Sequence, residues 1–102
     1  MKLRDFNEEF AHQLRDREYA SAYLTECLAF DDPDVFLIGL RDVIRAQSSM
    51  TAVAKEADVN RVGLYRALDE GGNPTLRTLQ PILQSVGYRL AVVAAAQGKT
   101  AE

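Results

Sequence analysis

The residues with the clearest binding chemistry lie in one short stretch in the second half of the chain. It holds two arginines, Arg61 and Arg66, together with Asn60, Val62 and Tyr65. An arginine guanidinium can donate two parallel hydrogen bonds to a guanine or bind a phosphate, and an asparagine can pair with an adenine. A valine can contact a thymine methyl group, and a tyrosine hydroxyl can donate to a phosphate. On one exposed helix face, these residues predict a surface that reads double-stranded DNA.

Two short helices joined by a tight turn are predicted to position this stretch, the first over 50–57 and the second over about 61–70. A helix-turn-helix needs a small residue where its helices cross, and Ala54 meets that need. Its turn often needs a positive φ, which Asp58 tolerates. The residues predicted to pack the pair are Val53, Ala54, Ala57, Val59, Leu64 and Leu68. An ordinary helical hairpin with a solvated basic face is the alternative.

Few residues are suited to catalysis or metal binding. His12 is the only histidine and Cys27 the only cysteine, whereas a Cys/His zinc site needs four ligands and an intramolecular disulfide two cysteines. The glycine pair at 71–72 lacks the spacing and the lysine of a phosphate-binding loop. We therefore expect no enzymatic activity, no cofactor, no metal and no small-molecule substrate.

Length and composition predict one globular domain. The chain has 102 residues, of which 47% are hydrophobic and 26% charged, both ordinary values. The stretch 90–97 has no charge but is too short to span a bilayer. The N-terminus is charged from Lys2 onward and lacks the apolar core of a signal peptide. These features predict a cytoplasmic protein with no membrane contact.

The apolar spacing predicts an all-α fold of five to six short helices. Acidic helices are expected over 6–30 and the helix-turn-helix core over 34–87. The residues predicted to cap helix starts are Asp16, Asp32 (followed by Pro33), Ser48 or Ser49, Asn60 and Thr75. Gly71, Gly72 and Gly87 are predicted to end helices, whereas Pro81 should bend the last helix or move its start.

Residues 88–96 have the composition of a β-strand rather than a helix. A single strand cannot pair its own backbone, which predicts antiparallel pairing across a homodimer axis. The residues expected at this interface are Tyr88, Leu90, Val92 and Val93. The alternative is a frayed or extended tail that lies on its own domain. Residues 97–102 are predicted to be a disordered tail, so that 1–96 forms the single domain.

Charge is distributed unevenly along the chain. Residues 1–34 have four basic and nine acidic side chains, whereas residues 35–90 have seven basic and five acidic ones. An acidic surface can attract a basic partner and speed association with it. The candidates for such a surface are Glu8, Glu9, Glu18 and Glu26. The alternative is a solvated acidic face that keeps the protein soluble.

The run of residues 50–68, followed by Gly-Gly-Asn-Pro at 71–74, is similar to a known family. The chain resembles the addiction-module antidote proteins, which are HigA-like antitoxins of the Xre/λ-repressor-type helix-turn-helix class. The likeness covers about residues 15–90, and Leu-Tyr-Arg-Ala-Leu at 64–68 is its most distinctive part. The sequence departs from the family pattern at Asp58, where glycine is usual, and at Pro81.

The resemblance implies a cytoplasmic dimer that binds operator DNA, represses its own operon and neutralises a co-encoded toxin. Such a toxin is commonly a small basic RNase of the RelE/ParE fold. Two alternatives remain open: a free-standing Xre-family transcriptional regulator without a toxin, and a protein-interaction module whose helix-turn-helix has degenerated. A reading frame for a small basic protein beside the gene would favour the antitoxin, and loss of DNA binding would favour the interaction module.

Overall fold

The computed structural model describes residues 6–96 and confirms the all-helical class. Six helices follow one another along this part of the chain: α1 (Glu8–Leu14), α2 (Arg17–Leu28), α3 (Pro33–Gln47), α4 (Met50–Glu56), α5 (Arg61–Ala67) and α6 (Leu76–Ser85). Within the described residues no helix combines the length and apolarity that a bilayer span requires. The predicted tail at 97–102 and the first five residues of the predicted domain lie outside the described part.

The predicted capping residues begin the helices as expected. In each case the side-chain oxygen accepts a hydrogen bond from a backbone N–H two or three residues later, which satisfies an otherwise unpaired donor. These caps are Asp16, Asp32, Ser49, Asn60 and Thr75. Pro33 occupies the first turn of α3, where its missing N–H is harmless. Short polar residues before apolar runs therefore fixed where the helices start.

The ends of α5 and α6 follow the predicted glycines less uniformly. Gly87 has a φ of 88° and ends α6, while α5 ends at Ala67, three residues earlier than predicted. A Cβ at Gly72 would lie 2.3 Å from the Ala67 carbonyl oxygen, so the chain turns back tightly there. Pro81 lies inside α6, which begins at Leu76 directly after its predicted cap Thr75. Of the two effects predicted for this proline, the shift of the helix start is therefore wrong.

Helix α3 lies at the centre of the fold and packs against α1, α2 and α4, and α4 in turn contacts α5 and α6. Phe10, Leu40, Val43 and Ile44 are fully buried in this core. Helices α2 and α3 approach each other closely at Gly39, where an added Cβ would lie 2.9 Å from the Cys27 sulfur. This glycine lets α3 sit close enough to α2 to bury its apolar face.

The predicted β-strand at 88–96 is wrong, because the described residues contain no strand. Tyr88 instead anchors the segment to its own domain. The Gln47 Nε2 donates to the Tyr88 hydroxyl at 2.9 Å, that hydroxyl donates to the Arg17 carbonyl at 3.3 Å, and the Arg17 guanidinium lies 5.0 Å from the centre of the Tyr88 ring. The alternative to the strand, an extended tail that lies on its own domain, therefore describes the segment at Tyr88.

The four predicted interface residues divide into two pairs. Tyr88 and Leu90 are half-buried against the core. Val92 and Val93 are 99% and 83% exposed and contribute nothing to that core. Strand pairing would require a continuous backbone ladder, whereas here the side chain of Tyr88 determines the path of the first residues.

Candidate nucleic-acid interface

The turn between α4 and α5 has the conformation that the sequence predicted. Asp58 has a φ of 60° and is the only non-glycine residue of the described part with a positive φ. The N–H of Val59 donates to the Ala54 carbonyl at 3.0 Å, and the N–H of Gly63 donates to the Asn60 Oδ1 at 2.6 Å. These bonds fix the angle at which α5 leaves the turn.

Apolar side chains lock α4 and α5 together from the inside. The structure buries Val53, Ala54, Ala57, Leu64 and Leu68 and leaves Val59 partly buried against the same core. The side chain of Ala54 is small, so the turn can come close enough for the Val59 N–H to reach the Ala54 carbonyl. Since one side of α5 is held in the core by Leu64 and Leu68, its opposite side must face solvent.

The solvent side of α5, together with its N-cap Asn60, carries all five residues predicted to contact DNA. Asn60, Arg61 and Arg66 are exposed, while Val62 is 64% and Tyr65 40% exposed. The Arg61 guanidinium lies 5.4 Å from the centre of the Tyr65 ring, which orients it along the helix surface. The structure therefore brings together two cations, an amide, a phenol and an exposed valine on one short helix.

A cleft beside α5 adds two arginines that the sequence analysis missed. It has a volume of about 690 Å³. Its lining residues are Arg41, Arg45, Ser48, Ser49, Met50, Thr51, Arg61 and Tyr65. The sequence signal was the pair of arginines four residues apart on α3, a helix that is otherwise largely buried. Only the folded structure shows that they line the same cleft as Arg61.

Acidic residues lie close to two of these arginines. Arg41 Nη1 lies 3.4 Å from Asp69 Oδ1, and Arg45 Nη1 lies 3.7 Å from Asp42 Oδ1. Asp69 is exposed, whereas Asp42 is only 5% exposed. Burial raises the pKa of Asp42 above its ordinary value, and the positive charges of Arg45 and Arg41 oppose that rise.

Cys27, the cysteine of the chain, is buried. Burial raises the pKa of the Cys27 thiol above its ordinary value, and a hydrogen bond with Tyr23 opposes the rise. A thiol with a raised pKa is a poor nucleophile and a poor metal ligand at neutral pH. Among residues 6–96 no group of three or more candidate metal ligands lies together.

The four acidic residues predicted to bind a toxin are exposed but spread out. Glu8 and Glu9 lie in the first turn of α1 and Glu18 in the first turn of α2. Glu26 lies eight residues beyond Glu18, or about 12 Å along the helix axis. A carboxylate in a first turn also stabilises the helix, so three of the four have a structural role as well.

Comparison with known proteins assigns the chain to a family. A family model described as "Probable addiction module antidote protein" matches residues 2–94, a range that includes every helix described above. An uncharacterised protein of Haemophilus influenzae Rd is 34% identical over 91 residues, which cover 89% of this chain and 91% of that protein. No solved structure matches the chain. The chain therefore belongs to the family of probable addiction module antidote proteins.

Proposed function

We propose that the protein is the cytoplasmic, DNA-binding antitoxin of a type II toxin–antitoxin module, with α4 and α5 forming a λ-repressor-like helix-turn-helix. The family assignment supports the antitoxin role. The DNA-binding role rests on one observation, the exposed face of α5. Arg61, Val62, Tyr65 and Arg66 point to solvent from a helix whose other side is anchored by Leu64.

The mechanism of repression is steric. Helix α5 has seven residues and spans about 10 Å, so one copy contacts only a few base pairs in a major groove. We propose a homodimer that places two such helices about 34 Å apart, in successive major grooves, and blocks polymerase at the promoter of its own operon. Exposed Val92 and Val93 remain candidates for the contact between subunits, without the strand pairing.

A mobility-shift experiment tests the DNA-binding part of this proposal. The probes are a duplex from the region upstream of the gene and a duplex of the same length and composition with shuffled sequence. We expect the upstream duplex to bind more tightly at every salt concentration, because base contacts add to the phosphate contacts that both duplexes offer. Equal binding to both duplexes contradicts sequence-specific recognition, and no binding to either favours a degenerate helix-turn-helix.

The toxin partner is proposed to be a small basic RNase-like protein of the RelE/ParE type. The acidic residues Glu8, Glu9, Glu18 and Glu26 are the proposed contact surface, since opposite charges steer two proteins together. Co-expression with the reading frame beside the gene, followed by purification through a tag on the partner, tests this pairing. Stoichiometric co-purification supports the antitoxin role. A partner that purifies alone favours a free-standing transcriptional regulator.

A further inference from the structure

We propose that the cleft between α3 and α5 binds a phosphate of the DNA backbone through Arg41, and that Asp69 competes with the phosphate for that arginine. The proposal rests on the DNA-binding function above and extends it to residues outside the helix-turn-helix. It also assigns a role in setting DNA affinity to Asp69, which lies two residues after the end of α5.

The cleft is lined by three positively charged side chains. Arg41 and Arg45 lie one turn apart on the same side of α3, and Arg61 faces them from α5. Guanidinium groups bind phosphate oxygens through paired hydrogen bonds, which are stronger than bonds between neutral groups. The hydroxyl groups of Ser48 and Thr51 line the same cleft and can donate further hydrogen bonds.

The cleft lies next to the exposed face of α5. Arg61 and Tyr65 line it and also belong to the exposed face of α5 that is proposed to enter the major groove. A duplex that receives this face brings the adjacent sugar–phosphate strand to the side of α5, where α3 lies. The cleft is thus placed for a backbone phosphate rather than a base edge.

The ion pair that now holds Arg41 is weak on the side of the carboxylate. Arg41 Nη1 lies 3.4 Å from Asp69 Oδ1, and the side chains of Arg41 and Asp69 are 27% and 63% exposed. Because solvent reaches the Asp69 carboxylate and screens its charge, the pair contributes little to stability, and a phosphate can replace the carboxylate. Asp69 then lowers the affinity for any DNA, because binding must first break the pair and must bring a carboxylate near the backbone.

The test measures the salt dependence of DNA binding by Arg41→Gln and Asp69→Asn. Both the upstream and the shuffled duplex are titrated from about 50 to about 200 mM salt. We expect R41Q to weaken binding to both duplexes by the same factor and to make the negative slope of log K against log salt less steep by about 0.9, which corresponds to the loss of one phosphate contact. We expect D69N to strengthen binding to both duplexes by about 2- to 5-fold.

Arg89→Gln is the matched control, because it removes the same charge from an exposed residue that lines a different cavity. Arg41 is preferred to Arg45 because the Arg45 guanidinium also stacks 4.2 Å from the centre of the Phe6 ring, so that its loss would disturb packing. Circular dichroism melting confirms that each variant is folded, and Arg41→Lys should retain most of the slope if charge is what matters.

Three results would overturn the inference. If R41Q and R89Q have the same slope, Arg41 makes no phosphate contact. The proposed function remains intact in that case, provided that the wild type still prefers the upstream duplex. A selective loss of that preference in R41Q shows a base contact instead. Failure of the wild-type protein to bind either duplex ends the proposed function and this inference together.

Discussion

Asn60 uses its carboxamide oxygen to cap α5, because Oδ1 accepts the Gly63 N–H at 2.6 Å. Recognition of adenine through both atoms of the amide would require Oδ1 to accept a second hydrogen bond, from the base, while the bond from Gly63 restricts how the amide can turn. Sequence-specific contacts are therefore expected to come mainly from Arg61 and Arg66, whose guanidinium groups take no part in capping α5. The cap itself was predictable, because it depends on only four consecutive residues.

Tyr88 links three distant parts of the chain through one hydroxyl group. Replacing it in Tyr88→Phe removes the hydrogen bond from Gln47 Nε2 and the bond to the Arg17 carbonyl. We expect the free energy of unfolding to fall by about 1 kcal/mol in urea denaturation. Light scattering should give the same oligomeric state as the wild type. A changed oligomeric state with unchanged stability would contradict the anchoring role and return Tyr88 to a subunit interface.

Asp42 should make stability depend on pH in a direction set by its burial. Because the pKa of Asp42 is raised in the folded state, the folded protein holds this proton more tightly than the unfolded chain does. The free energy of unfolding therefore falls as pH rises from the unfolded-state pKa through the folded-state value. Asp42→Asn removes this titration while keeping the shape of the side chain.

We expect Asp42→Asn to be at least as stable as the wild type at neutral pH, with the difference shrinking as pH falls towards about 4. Thermal unfolding across that pH range measures both. A neutral-pH loss of stability that disappears in acid would contradict the account. It would mean that attraction to Arg45 and Arg41 outweighs the cost of burying the carboxylate.

At the scale of elements, the contact between α2 and α3 depends on the absence of one side chain. In Gly39→Ala the new Cβ would lie 2.9 Å from the Cys27 sulfur and 3.2 Å from the Tyr23 ring. We expect a loss of about 1–3 kcal/mol in the free energy of unfolding, despite the better helix propensity of alanine.

The double variant Cys27→Ala/Gly39→Ala provides the control for this clash. Removing the sulfur opens space for the new methyl group, so the double variant should be more stable than the sum of the two single changes predicts. Additive effects, or a stabilised Gly39→Ala variant, would show that the two helices separate at little cost.

Local signals predicted the starts of α2 to α6 and the turn between α4 and α5, because each depends on residues close together in the chain, whereas Asn7 as the cap of α1 was not predicted. Asp58 could be placed in the turn since few side chains tolerate a positive φ. The path of residues 88–90 could not be predicted in this way. It depends on Gln47 and Arg17, which lie 41 and 71 residues away along the chain.

The candidate site shows the same division between local and distant information. Helical periodicity alone indicated which side chains of α5 face outward. The contribution of Arg41 and Arg45 could be found only from the folded structure, because it depends on their lining one cleft with Arg61 and no spacing within either helix indicates that cleft. The early end of α5 was likewise not predicted; it comes just before a tight return of the chain, where a Cβ at Gly72 would lie 2.3 Å from the Ala67 carbonyl oxygen.

At the scale of the whole molecule, opposite charges are concentrated in different parts of the chain. Residues 1–34 carry a net charge of −5, while residues 35–90 carry +2 and include the α3 and α5 arginines. This separation is in line with the proposed binding of two partners of opposite charge, a basic toxin and a nucleic acid. The small positive excess also limits nonspecific coating of DNA, which requires many phosphate contacts.

The central claim is that the exposed face of α5 reads DNA. The most direct test measures the affinity of Arg61→Ala and Arg66→Ala for the upstream duplex and for the shuffled duplex, with Arg89→Ala as the charge-matched control. The account predicts that each of the two variants loses about 1–3 kcal/mol of binding to the upstream duplex and part of its preference for that duplex, whereas the control keeps its preference. Wild-type affinity and preference in both α5 variants would contradict it.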